Sequence, residues 1–222
     1  MKSFRESIPE PDLHNFSVCR KCGTCCRNGG PTLHHEDKKL ICDGALRREL
    51  LVTIRKGEWA ISPSTGRPEP VRSEVVKIGG KANGWVCYFY NEENSNCSIY
   101  DRRPLECRLL KCWDTADLLA VVCKNNLTRW DLISADDPVK KIIDILEREC
   151  SLDAVEDLIS TMQRGSESGH CLSLLASLSQ KDLALRARAV SEFELSLGDE
   201  LFLFGRPLFK ILRSRGVRIK IE

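Results

Sequence analysis

Four thiols fall within eight residues at Cys19-Arg20-Lys21-Cys22-Gly23-Thr24-Cys25-Cys26, and the flanks carry Arg20, Lys21 and Arg27 with no acid among them. A Cys-x-x-Cys turn folds back on itself and can bring two sulfurs onto one metal ion, with backbone N–H groups pointing at the sulfurs. Thiolate is the metal-binding form, and neighbouring cations lower a thiol's pKa. Four thiolates packed together without a metal would stack negative charge at short range. A bound cation or an iron–sulfur core relieves that repulsion, so the box predicts a metal site. The alternatives at this spacing are a redox dithiol or a disulfide knot.

Other properties of the chain narrow the setting. With 222 residues, 42% of them hydrophobic, it can bury a real core and does not need cysteine staples. The formal net charge of +2 gives no argument for a nucleic-acid or anionic-membrane partner. The opening stretch has no apolar run of signal-peptide type, and no segment approaches the length of a membrane span. A cytoplasmic location is therefore expected, where thiols stay reduced and 12 cysteines point to metal rather than disulfides. Most of those cysteines precede Trp113, while Cys123, Cys150 and Cys171 are scattered beyond it. The expected division is a cysteine-cluster domain over 1–112 and a mainly helical region over 113–222.

Residues 1–18 read as a lead-in, and Asn28-Gly29-Gly30-Pro31 as a turn. Thr32 is expected to cap a short helix over 33–40. Residues 51–54, 59–61, 71–78 and 85–90 read as strands, with a loop over 62–68, giving a small antiparallel sheet. Asp137-Pro138 starts a helix whose apolar face is Val139, Ile142, Ile143 and Leu146. Asp153 and Glu156 suggest a capping box, followed by Val155, Leu158, Ile159 and Met162 at helical spacing. Residues 164–169 read as a linker, 172–178 and 183–195 as two helices, and 216–221 as an edge strand. The fold class is α+β.

A second thiol group follows the strands: Cys87, Cys97, Cys107 and Cys112. Pro104 suits the first turn of a short helix carrying Cys107. Cys112 lies five residues on, about 140° around a helix axis, so the two share a site only if the helix ends between them. Arg102, Arg103, Arg108 and Lys111 surround this group, either as ordinary surface charge or in an electrostatic role. The order Cys19-x-x-Cys22-Gly23-x-Cys25-Cys26, then Cys87, then Cys97-x-Ile99-Tyr100-x-x-Arg103-Pro104-x-x-Cys107-Arg108 resembles the YkgJ-type cysteine-cluster family, described as a zinc- or iron-chelating domain. The resemblance spans roughly residues 19–112. It implies a metal site built from Cys19, Cys22, Cys25, Cys26, Cys87, Cys97 and Cys107, with Cys112 as the eighth thiol. It implies nothing for the chain after Trp113.

Thiolates favour zinc, copper(I) and iron–sulfur clusters. Four complete a structural zinc site or one [4Fe–4S] cluster. Cys-x-x-Cys-x-x-Cys resembles the start of a bacterial ferredoxin motif but departs from it, because Cys26 follows Cys25 directly and no Pro comes after. The side chains of adjacent Cys25 and Cys26 are expected to diverge and serve two metals, or one metal and its surroundings. An iron–sulfur cluster with a redox or oxidoreductase-associated role is the first reading. A zinc-binding structural or interaction module, with the helical half facing a protein partner, is the alternative. The cluster also resembles part of flagellin lysine N-methylases, but no methyl-donor motif is visible. Phosphate-loop, nucleophile-elbow and His-Glu-x-x-His signatures are absent, so catalysis is not indicated. His34 and His35 are not needed as ligands where thiols suffice; Glu36 or Asp37 would at most orient one of them. His14 and His170 read as surface residues. Cys42, Cys123, Cys150 and Cys171 read as small hydrophobes, and Trp59, Trp85, Trp113 and Trp130 as core or site-shielding residues.

Overall fold

Leu51–Ile54, a run of β-branched and aliphatic residues, is buried along its whole length, and the rest of the fold closes over both of its faces. The computed structural model describes Cys19, residues 21–165 and residues 168–220; the lead-in, with His14, lies outside them. Helical turn α1 (Thr24–Arg27) ends the cysteine box, and a 3-10 turn, His35–Asp37, runs into α2 (Lys38–Cys42). The strands are β1 (Leu51–Ile54), β2 (Trp59–Ile61), β3 (Pro68–Pro70), β4 (Val75–Ile78), β5 (Tyr90–Asn91) and β6 (Asn96–Cys97). They form three two-stranded antiparallel ladders, β1 with β4, β2 with β3 and β5 with β6. In the first, Leu51 faces Ile78 and Ile54 faces Val75. Short helices α3 (Leu105–Leu109) and α4 (Ala116–Val121) follow. The remainder is helical: α5 (Val139–Glu149), α6 (Leu152–Gln163), α7 (Ser168–Phe193), α8 (Leu197–Phe204) and α9 (Leu208–Ser214).

The antiparallel ladders and the helical second half agree with the α+β expectation. Val139, Ile142, Ile143 and Leu146 are the buried face of α5. The N-cap of α5 is Pro138 and not Asp137, whose Oδ1 accepts the Val139 N–H at 3.0 Å just ahead of the helix. One buried cluster combines Leu33, Leu51, Val76, Ile78, Tyr90 and Leu127 with Ile143, Leu146, Phe202, Leu203 and Phe204. A second joins Leu152, Val155, Ile159, Leu175, Leu208, Ile211 and Leu212. Each such side chain contributes about 1.5–3 kcal/mol of transfer free energy.

Several local expectations change. Thr32 does not cap a helix; it pairs with Lys77 in an isolated bridge. The cap is His34, whose backbone N–H donates to Asp37 Oδ2 at 3.0 Å. Val71 lies outside β4, and of the stretch 85–90 only Tyr90 enters a strand, while Cys87 makes a single bridge to Gly80. The α6 cap is Ser151, with Asp153 in the first turn. Residues 172–178 and 183–195 form one helix, α7, which already begins at Ser168 within the expected linker. Residues 217–220 carry no strand.

Among the described residues three arginines are almost fully buried: Arg55, Arg129 and Arg186. Arg55 makes a bidentate pair with Glu147 and donates to the Cys150 carbonyl at 2.9 Å. Arg129 bridges Glu147 and Glu74 and donates to the Leu203 carbonyl. Arg186 pairs with Asp182 at 3.0 Å and donates to the carbonyls of Phe204 and Gly205, satisfying the C-terminal end of α8.

Candidate metal centre

Gly23 sets the geometry of the first box. Its φ of 74° is the left-handed conformation glycine adopts without strain, and it turns the chain into α1. The absence of a side chain also makes room for Tyr90: a Cβ here would lie 1.9 Å from the phenol oxygen. On the turn, the Sγ atoms of Cys25 and Cys26 sit 4.0 Å apart. The two neighbours therefore lie side by side, contrary to the expected divergence. Because α1 is a single helical turn, consecutive side chains there are only about 100° apart. Cys22 Sγ lies 3.3 Å from Thr24 Oγ1, and the Lys21 N–H points at Cys19 Sγ at 3.4 Å.

The second group is carried by separate elements. The Cys87 N–H donates to the Cys26 carbonyl at 2.8 Å, which fastens the two boxes to each other through the backbone. Cys97 stands opposite Tyr90 across β5–β6. Cys107 is on α3, which ends at Leu109, so Cys112 is freed from the helical phase that would set it aside. The start of α3 is held by Asp37: Oδ1 accepts the Leu105 N–H at 2.8 Å, while Oδ2 accepts that of His34. Glu106, next to Cys107, accepts the Thr32 N–H at 2.7 Å and lies 3.5 Å from His34 Nε2.

Electrostatics sorts the thiols into two overlapping neighbourhoods. Burial, with the charges of Cys25, Cys87 and Cys97, pushes the Cys26 pKa up to about 12. Burial raises Cys87, with Cys97 and Cys25 adding to the effect. Cys107 is driven well above the ordinary thiol range by burial and by Cys87, Cys25, Cys26 and Cys97. Cys112 is raised by burial and then by Cys25, Cys22 and Cys19. An inner set of Cys26, Cys87, Cys97 and Cys107 thus meets a rim set of Cys19, Cys22 and Cys112, with Cys25 acting on both. Cys22 is lowered, chiefly by its hydrogen bond to Thr24 and least by Arg27. The expectation that basic flanks depress the thiols fails at Cys26, Cys87 and Cys107, because desolvation outweighs distant cations there.

Metal loading would reverse these shifts, since a cation replaces the protons that burial and mutual repulsion retain. Among the described residues, no three His, Cys, Asp or Glu side chains already stand as ligands of one ion. The fit is therefore one of donor chemistry: soft sulfur donors in two sets, the inner one buried or half-buried and the rim exposed. His34 is buried with Nδ1 2.8 Å from the Lys124 carbonyl, a structural role, and His35 is exposed. Residues 18–124 match a family model, CxxCxxCC, described as "putative zinc- or iron-chelating domain". That stretch is similar to the CxxCxxCC family, and the similarity covers a little under half of the chain, residues 18–124 of 222. No curated protein and no solved structure matches the chain.

The match supports metal binding by residues 18–124, and the helical extension after residue 124 lies outside it. No described helix is long and apolar enough to cross a membrane. Cys150 and Cys171 are buried as expected, but Cys42 and Cys123 are exposed and do not act as small hydrophobes. Trp85 and Trp130 are also exposed, and His170 is exposed on α7 rather than in a linker. Sequence reasoning misses Asp37 and Glu106 as supports of Cys107. The first is legible in His34-His35-Glu36-Asp37, an N-cap followed by an acid three residues on.

Proposed function

We propose that the CxxCxxCC domain holds an iron–sulfur cluster on the thiolates of Cys26, Cys87, Cys97 and Cys107, with Cys19, Cys22, Cys25 and Cys112 as a second, more exposed set, and that it serves a redox role. The observation that carries this reading is the sorting of eight thiols into two sets that meet at Cys25 and Cys26. Four thiolates are the ligand complement of one cluster, and a desolvated shell is a lever on its potential. The extensive core supports the same reading, since the fold does not depend on a metal staple. When bound, the cluster supplies one-electron chemistry; the chain's own residues hold it, limit water at Cys87 and Cys107, and fix α3 through Asp37.

Zinc is the second reading, favoured by the 4.0 Å spacing of Cys25 and Cys26. Two sulfurs on one tetrahedral zinc stand about 3.8 Å apart. Elemental analysis and a visible spectrum of protein purified without oxygen separate the two. Iron with acid-labile sulfide and brown colour is expected. A colourless protein with stoichiometric zinc, whose first half melts on chelation, overturns the cluster in favour of zinc.

A further inference from the structure

No thiol lines the cleft of about 400 Å³ that β4, the loop after it and helices α8 and α9 form. Its mouth is apolar and aromatic, with Trp85 54%, Tyr88 43% and Leu197 65% exposed. Its charge is lopsided: Lys77, Arg206 and Lys210 line it against one acid, Glu49. Arg206 is already paired with buried Glu58 and lies 5.2 Å from the centre of the Trp85 ring, which it helps to hold. Lys77 differs. It is partly buried opposite Val52 in the β1–β4 ladder, and its side chain makes no hydrogen bond or ion pair among the described residues. Burial pulls its pKa below the ordinary lysine range, with Glu106 and Cys87 only partly opposing this and Arg206 adding to it. A half-buried ammonium that meets no acid among the described residues leaves its open side, at the cleft, to an anion. Lys210 stands exposed at the same cleft.

We propose that this cleft binds a small organic anion, its carboxylate held by Lys77 and Lys210 and its apolar or aromatic body lying against Trp85, Tyr88 and Leu197. The volume is that of a small-molecule site. Gly80, in the cleft lining, makes an isolated bridge with Cys87, so the cleft borders the inner thiols at that point. The inference does not rest on which metal the domain holds.

Titration of the purified full chain with naphthoate, against naphthalenemethanol as its uncharged analogue, tests the proposal. Saturable naphthoate binding is expected, with the alcohol about tenfold weaker or more. Lys210→Glu, at an exposed position that does not endanger folding, is expected to weaken naphthoate binding about tenfold, and Lys77→Met by at least as much. Trp85→Ala is expected to weaken both ligands, because it removes the surface they share. No saturable binding of naphthoate, equal binding of the two ligands, or unchanged affinity in Lys210→Glu overturns the proposal. Circular dichroism checks that each variant is folded, and Lys210→Glu carries the test if Lys77→Met is not.

Discussion

A methyl group on Gly23 would collide with the Tyr90 phenol at 1.9 Å, at a backbone φ of 74° that L-residues seldom adopt. Gly23→Ala is therefore expected to cost about 1–3 kcal/mol from backbone strain, with displacement of Tyr90 adding to it. Since Tyr90 pairs with Cys97, the variant should also lose bound metal, read by elemental analysis beside a denaturant titration. Cys25 and Cys26 make no such demand on the backbone, because they lie in an ordinary helical turn. At this scale the thiol positions are legible in the sequence, because ligand spacing is local. Their proton affinities are not: the cations are neighbours in sequence, whereas the burial and thiolate repulsion that dominate Cys26 and Cys107 come from distant segments. Cys42 and Cys123 escape sequence reading because a cysteine's burial depends on what covers it.

Elements are legible where one face is uniformly apolar, as on α5. Helix α7 divides in two on sequence alone because its buried stripe is Cys171, Leu175, Ser179, Asp182, Arg186 and Ala189. The spacing is helical throughout, but polar residues occupy the middle of the stripe, where Asp182 receives both Arg186 and the Leu208 N–H. The short ladder β2–β3 is half hidden because Pro68 and Pro70 are poor strand residues, tolerated in an exposed pair. Between the 3-10 turn and α3 the link is the Asp37 carboxylate, which is buried and accepts two backbone N–H groups. Asp37→Asn turns one acceptor into a donor facing a donor. A loss of about 1–3 kcal/mol is expected, measured by urea unfolding. Release of α3 should also lower metal content, while Cys42→Ser on the same segment, exposed and outside the thiol sets, should leave both unchanged.

Across the whole molecule, the buried ion network is the least legible feature, since Arg55, Arg129, Glu74 and Glu147 read as surface charges one at a time. Together they connect β1 to α5 and the segment after α4 to α5. Arg129 is almost wholly buried, and its removal would leave Glu74 and Glu147 short of a partner, a change of about 3–5 kcal/mol for a buried pair broken on one side. Glu147 gives the network a pH signature. Burial alone would raise its pKa, but the charges and hydrogen bonds of Arg55 and Arg129 outweigh burial and hold it below the ordinary 4.5. A carboxyl depressed in the folded state contributes stability above its unfolded pKa and loses it as pH falls through the folded value. Glu147→Gln removes that contribution. The variant should be less stable than the parent near neutral pH, and the gap should narrow steadily below about pH 4.5 as the parent's own carboxylate protonates. Urea titrations of both proteins across that range check it. A gap that stays constant with pH would mean that the Glu147 side chain acts through shape and not through charge.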